Sequence, residues 1–179
     1  FFLAAAALGR PVRCLNLKPD SIQGDRAILS FLESMGGEII WSDDAVTVRR
    51  AGQLKGATVD VRETPDLAPV LSAIISLAPG ESRIINAGRL RLKESDRLSS
   101  MAKELTALGA VVAEEAETLI IKGQTSLAGG VAVEAHNDHR VAMALAVASI
   151  GCQKPITIAG ADCVNKSYPD FWRDFGKLI

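Results

Sequence analysis

The sequence predicts an α/β domain built from a repeated unit, and three observations carry that reading. Gly9, Gly80 and Gly151 recur at intervals of 71 residues. Each closes a small, apolar run of helical texture (residues 1–8, 67–78 and 141–150) and precedes a short extended run (12–17, 83–86 and 155–158), an alternation that lays helices against sheet. Hydrophobic residues make up 48% of the chain but aromatic ones only 4%, so the core is expected to be Ala, Val, Ile and Leu, which suit layered helix-on-sheet packing.

The elements follow in order. The run over residues 1–8 has no basic stretch before it and no initiating methionine, so it reads as part of a helix in a fragment rather than as a secretory signal. After the strand over 12–17, Ile28, Phe31, Leu32 and Met35 mark one face of a second helix, which Gly36 and Gly37 stop. Strands over 38–41 and 46–49 flank the polar turn Ser42, Asp43, Asp44. The second unit repeats the order: helix 67–78, strand 83–86, then a helix faced by Leu98, Met101, Leu105 and Leu108 and stopped by Gly109. Strands over 110–113 and 119–122 close it around the turn 114–117. The third unit offers helix 141–150, strand 155–158 and a helix over 168–178, without a closing strand pair. Residues 1–179 thus hold about two and a half units of one domain.

Lysine plus arginine number 20 against 21 aspartate plus glutamate, which leaves no global field for nucleic acid or an anionic membrane. No run approaches the roughly 18 apolar residues of a membrane span. Cys14, Cys152 and Cys163 form no CxxC pair, and an odd, scattered set fits a reducing, cytoplasmic setting better than a disulfide framework.

Polar residues that interrupt this apolar pattern collect where helices begin. In Arg91-Leu92-Lys93-Glu94-Ser95-Asp96-Arg97, Lys93 and Arg97 share a face if the helix has already started. Cations at a helix N-terminus oppose the macrodipole, a placement that an anionic ligand would relieve; a solvated turn with internal pairs such as Glu94 with Arg97 is the alternative. In His136-Asn137-Asp138-His139-Arg140, Asp138 reads as an N-cap, and Arg140 sits among Val, Ala, Met and Leu, where a charge needs a partner. Asp66 lies 72 positions before Asp138, at the matching station. His136 and His139 are three apart but lack a recognisable set of further metal ligands. Lys166 occupies the same station in the third unit as Lys93 in the second.

Lys93-Glu94-Ser95-Asp96-Arg97-Leu98, Asp138-His139-Arg140 and Lys166-Ser167-Tyr168-Pro169, with Thr64-Pro65-Asp66-Leu67-Ala68-Pro69 and Gln23-Gly24-Asp25 before them in the same order, resemble the motifs of the EPSP synthase (3-phosphoshikimate 1-carboxyvinyltransferase) family. The resemblance runs over the whole chain. It implies an inside-out α/β barrel of βαβαββ units, incomplete here at both ends, forming a carboxy-terminal domain whose amino-terminal partner domain is absent. It implies metal-free, cofactor-free transfer of an enolpyruvyl group from phosphoenolpyruvate to the 5-hydroxyl of 3-phosphoshikimate, a step towards chorismate and the aromatic amino acids. Carried over by position, Asp66 would contact shikimate hydroxyls and accept a proton. Lys93 would bind the same substrate and assist proton transfer, and Glu94 would protonate the methylene carbon. Arg97, Arg140 and Lys166 would clamp phosphoenolpyruvate, with His139 beside them. Where the family often has asparagine, this chain has Gly88-Arg89, and no role is assigned to Arg89. The related transferases acting on UDP-N-acetylglucosamine lack this motif set, and a non-catalytic repeat scaffold is the remaining alternative. By itself the fragment is expected to be inactive.

Overall fold

The structure, a computed structural model, describes residues 1–178. The first unit runs α1 (Phe2–Leu8), β1 (Val12–Cys14), α2 (Ala27–Ser34), β2 (Gly37–Ser42) and β3 (Ala45–Arg50). The second runs β4 (Thr58–Asp60), α3 (Ala68–Ile75), β5 (Gly80–Ile85), α4 (Arg97–Ala107), β6 (Val111–Glu114) and β7 (Leu119–Gly123). The third comprises β8 (Leu127–Gly129), β9 (Ala132–Glu134), α5 (His139–Ser149), β10 (Cys152–Lys154), β11 (Thr157–Ala159) and α6 (Phe171–Phe175).

Helices α1, α3 and α5 form the interior, α3 lying against both of the others. Every residue of α3 is buried, as are Ala4–Ala7 of α1 and residues 141–148 of α5. A helix that is apolar on all sides has no solvent face to offer, and its many small residues let neighbouring backbones approach. Sheets enclose these helices: β1-β3-β2 is antiparallel, and in β4-β5-β7-β6 only the β4–β5 pair is parallel. Strands β8 and β10, and β9 and β11, make two short parallel pairs. Helices inside and strands outside is the inside-out arrangement. Helices α2 and α4 are amphipathic instead; Leu98, Met101 and Leu105 face inward on α4 while Lys103 and Thr106 face water.

Two glycines show how tightly the layers meet. Gly109 has φ +100° just past α4, the left-handed stop expected of a helix C-terminus. A Cβ on Gly123 would lie 1.9 Å from the carbonyl oxygen of Ala78 and 2.4 Å from that of Ile75, so the end of β7 touches the chain leaving α3.

The structure adds what the sequence reading omitted: β4, β8 and β9 precede the first helix of their units and pair in parallel with a strand beyond it, giving true βαβ crossovers. The closing helix expected over 168–178 is shorter. A 3₁₀ turn spans Ala161–Lys166, and α6 begins only at Phe171. Pro169 explains the break, because it disfavours helical backbone at Tyr168. No helix among the described residues is long and apolar enough to cross a membrane.

Candidate active site

Several helix starts converge on one face. Asp25 lies in the 3₁₀ turn Gly24–Arg26 ahead of α2, and Asp66 in the turn Pro65–Leu67 ahead of α3. Arg97 is the first residue of α4, whose N-cap Asp96 accepts from the Ser99 N–H at 3.0 Å. Asp138 caps α5 by accepting from the Arg140 N–H at 2.9 Å. Asp66 is not a cap, since Thr64 holds that position without a side-chain bond.

Asp66 is a hub. Its Oδ1 accepts from Lys93 Nζ at 3.1 Å and Arg97 Nη1 at 2.8 Å, and its Oδ2 lies 3.3 Å from Arg140 Nη2. Arg140 also donates to the Asp66 carbonyl at 3.3 Å and stands 3.8 Å from Asp25. Arg97 continues through Nε to Asp138 Oδ2 at 2.7 Å, which also accepts from Ser95 Oγ at 3.1 Å. Beside this hub, Glu94 Oε2 accepts from Lys166 Nζ at 2.8 Å and from His139 Nδ1 at 2.9 Å. Lys166 donates in addition to the Asn137 carbonyl at 2.9 Å. All seven residues singled out in the sequence, Asp66, Lys93, Glu94, Arg97, His139, Arg140 and Lys166, therefore stand in two adjoining clusters.

This constellation meets independent findings from known proteins. The family model described as EPSP synthase (3-phosphoshikimate 1-carboxyvinyltransferase) matches residues 1–175. The chain belongs to the EPSP synthase family. It is 47% identical over 178 residues to the 3-phosphoshikimate 1-carboxyvinyltransferases of Clostridium novyi and Clostridium kluyveri, covering 99% of this chain but 40% and 41% of those proteins. The chain thus spans about two fifths of the length of these curated relatives. Among solved structures, EPSP synthase from Acinetobacter baumannii superposes with TM-score 0.83 at 28% identity, over 99% of this chain and 44% of that one. The enolpyruvyl transferase NikO from Streptomyces tendae shares the fold, with TM-score 0.80 at 23% identity over 99% and 41% of the two chains.

Within this chain the electrostatics follow from the pairing. Burial disfavours the Asp66 carboxylate, but the Lys93 hydrogen bond and the charges of Arg140, Lys93 and Arg97 outweigh it and hold the group below the usual range. Glu94 is likewise depressed: burial opposes the charge, and the bonds from Lys166 and His139 prevail. Asp138, fully buried, is held down by Arg97 against its own desolvation.

Several expectations need correction. Lys93 and Arg97 do not share a helix face, because Lys93 is extended (φ −90°, ψ −160°) and α4 starts only at Arg97. They meet because the loop between them folds back onto Asp66. The internal pair Glu94–Arg97 does not form; Lys166 and His139 are the partners of Glu94. Asp138 is more than a cap, since it also anchors Arg97 from a buried position. His136 and His139 point to different carboxylates, Glu104 and Glu94. Glu94, Asp138 and His139 place ligand atoms within 4.8 Å of one another, yet their oxygens already face Lys166, Arg97 and Ser95, donors that a cation would have to displace. Sequence reasoning assigned nothing to Ser95 or Asn137, whose backbone and hydroxyl contacts leave no periodic signal.

Proposed function

We propose that this chain supplies part of the active site for transfer of the enolpyruvyl group from phosphoenolpyruvate to the 5-hydroxyl of 3-phosphoshikimate, with release of phosphate. The observation that carries the reading is the meeting of Lys93, Arg97, Arg140, Lys166 and His139 around two carboxylates, in a chain of this family. A solvated scaffold has no reason to bring five donors from distant segments together.

The roles follow from the geometry. Arg140 and Lys166 are partly exposed and can exchange a carboxylate partner for a ligand carboxylate or phosphate. Arg97 is only 3% exposed and is committed through Nε and Nη1, so its part is to fix Asp66 and Asp138. Asp66 is a carboxylate at neutral pH and can accept the hydroxyl proton, with the Lys93 ammonium against it. An enol phosphate becomes electrophilic once its methylene carbon is protonated, a step we assign to Glu94; a methyl proton is lost again as phosphate leaves, which restores the enolpyruvyl double bond. Paired with Lys166 and His139, Glu94 is the wrong species, a stabilised carboxylate. An anion that takes over Lys166 and His139 removes that stabilisation and allows Glu94 to carry the proton.

We infer further that residues 1–179 form one carboxy-terminal domain, completed by an amino-terminal domain that closes the cleft, and that the protein works in the cytoplasm. Half a cleft loses the proximity and orientation that supply several kcal/mol of barrier lowering, so the chain alone has no turnover. The test is the full-length protein with phosphoenolpyruvate and either acceptor. Phosphate release with 3-phosphoshikimate and none with UDP-N-acetylglucosamine is expected; silence with both overturns the reading.

A further inference from the structure

Glu104 is a buried carboxylate outside the chemistry described above. Its side chain is 4% exposed, on α4, about two turns beyond Arg97. Oε2 accepts from the Glu134 N–H at 3.0 Å, Oε1 lies 2.8 Å from His136 Nε2, and Lys103 Nζ stands 3.5 Å away. A carboxylate at that distance from a ring nitrogen places the proton on Nε2.

The residue so gripped sits in an unusual backbone. His136 and Asn137 have φ +54° and +52°, a left-handed pair that few residues other than glycine adopt, histidine and asparagine more readily than most. The Asp138 N–H closes the turn onto the Ala135 carbonyl at 2.9 Å, which makes 135–138 a left-handed turn without glycine. Strain of this kind persists where surroundings over-determine it and clusters at functional positions. This turn leads straight into the site: the Asn137 carbonyl receives Lys166 Nζ at 2.9 Å, and the next residue, Asp138, holds Arg97.

We propose that the Glu104–His136 pair is a latch that holds the 135–138 turn in its left-handed form, and that through the Asn137 carbonyl it sets the position of Lys166, making His136 a positioning residue for anion binding. Without the latch the turn relaxes towards ordinary backbone angles and the carbonyl swings away. Lys166 then pairs with Glu94 alone and meets an incoming anion from a less fixed position. The inference rests on the anion-binding reading of the site and adds to it a residue that touches neither substrate.

A double-mutant cycle tests it, read as inorganic phosphate affinity by calorimetry on the full-length protein, with thermal unfolding as the control for fold. His136→Ala is expected to weaken phosphate binding about threefold or more in the parent and to have no effect once Lys166→Ala is present, the non-additivity of residues acting through one another. His136→Gln, whose amide can still donate to Glu104, is expected to restore parental affinity. If His136→Ala does not fold, Glu104→Gln replaces it, keeping the volume and exchanging an acceptor for a donor. Additive losses from His136 and Lys166, or no loss at His136, overturn the latch while leaving the site reading intact. A parent that binds no phosphate overturns the site reading, and the latch with it.

Discussion

Asp138 shows how little of a residue's role its local sequence declares. As an aspartate before an apolar helix it is an N-cap, and so it is, yet its second oxygen holds a buried guanidinium from α4. Removing Arg97 would leave that carboxylate buried without its counter-charge. Arg97→Ala is therefore expected to cost about 3 kcal/mol of stability, read from urea unfolding; a cost near zero would mean that water reaches Asp138. Glu94 offers a second check at this scale. Carboxyl-carbon NMR of the full-length protein is expected to show Glu94 titrating below ordinary glutamate when empty and moving upward when phosphoenolpyruvate and 3-phosphoshikimate are bound, because Lys166 and His139 turn to the ligand. An unchanged titration would remove Glu94 from the role of acid.

At the scale of elements, the close approach of β7 to the chain leaving α3 predicts that Gly123→Ala destabilises by about 2 kcal/mol or more, since the clash is with backbone carbonyls that cannot rotate away. Thermal unfolding would show it as a lowered Tm. The elements legible in the sequence were those long enough to display a period: α4, with Leu98, Met101, Leu105 and Leu108 inward, and the β2–β3 and β6–β7 hairpins with their polar turns. Strands β4, β8, β9 and β10 are three residues each, too short for an alternation to stand out, and they exist because a parallel partner across a helix pairs with them; β1 and β11, equally short, were legible only from their place after a recurring glycine. Periodicity sees one element at a time. The site was legible in kind, as charges breaking an apolar pattern, but the pairings were not: Glu94 bonds Lys166 and His139, 72 and 45 positions onward, and only the fold brings them within reach.

The whole molecule carries a pH dependence to which the three depressed carboxylates of the site, Asp66, Glu94 and Asp138, contribute beside the exposed and likewise depressed Glu38, Asp60 and Asp174. Their folded pKa values lie below the unfolded ones, so the stability they contribute is complete above the ordinary carboxylate range and is lost as pH falls through that range and below it. Urea unfolding is expected to show little change from pH 7 to about 5 and a progressive loss below about 4; Asp138→Asn is expected to flatten that acid limb. A flat profile in the parent would mean that the pairs do not form. The repeat has a further result at this scale. Because consecutive units deliver the beginnings of α2, α3, α4 and α5 to the same side, the positive ends of their peptide dipoles point into one volume, even though the formal net charge of the chain is −1. Small anions would therefore be drawn to this side by diffusion before any guanidinium touches them, and added salt would slow that encounter more than it weakens the finished complex.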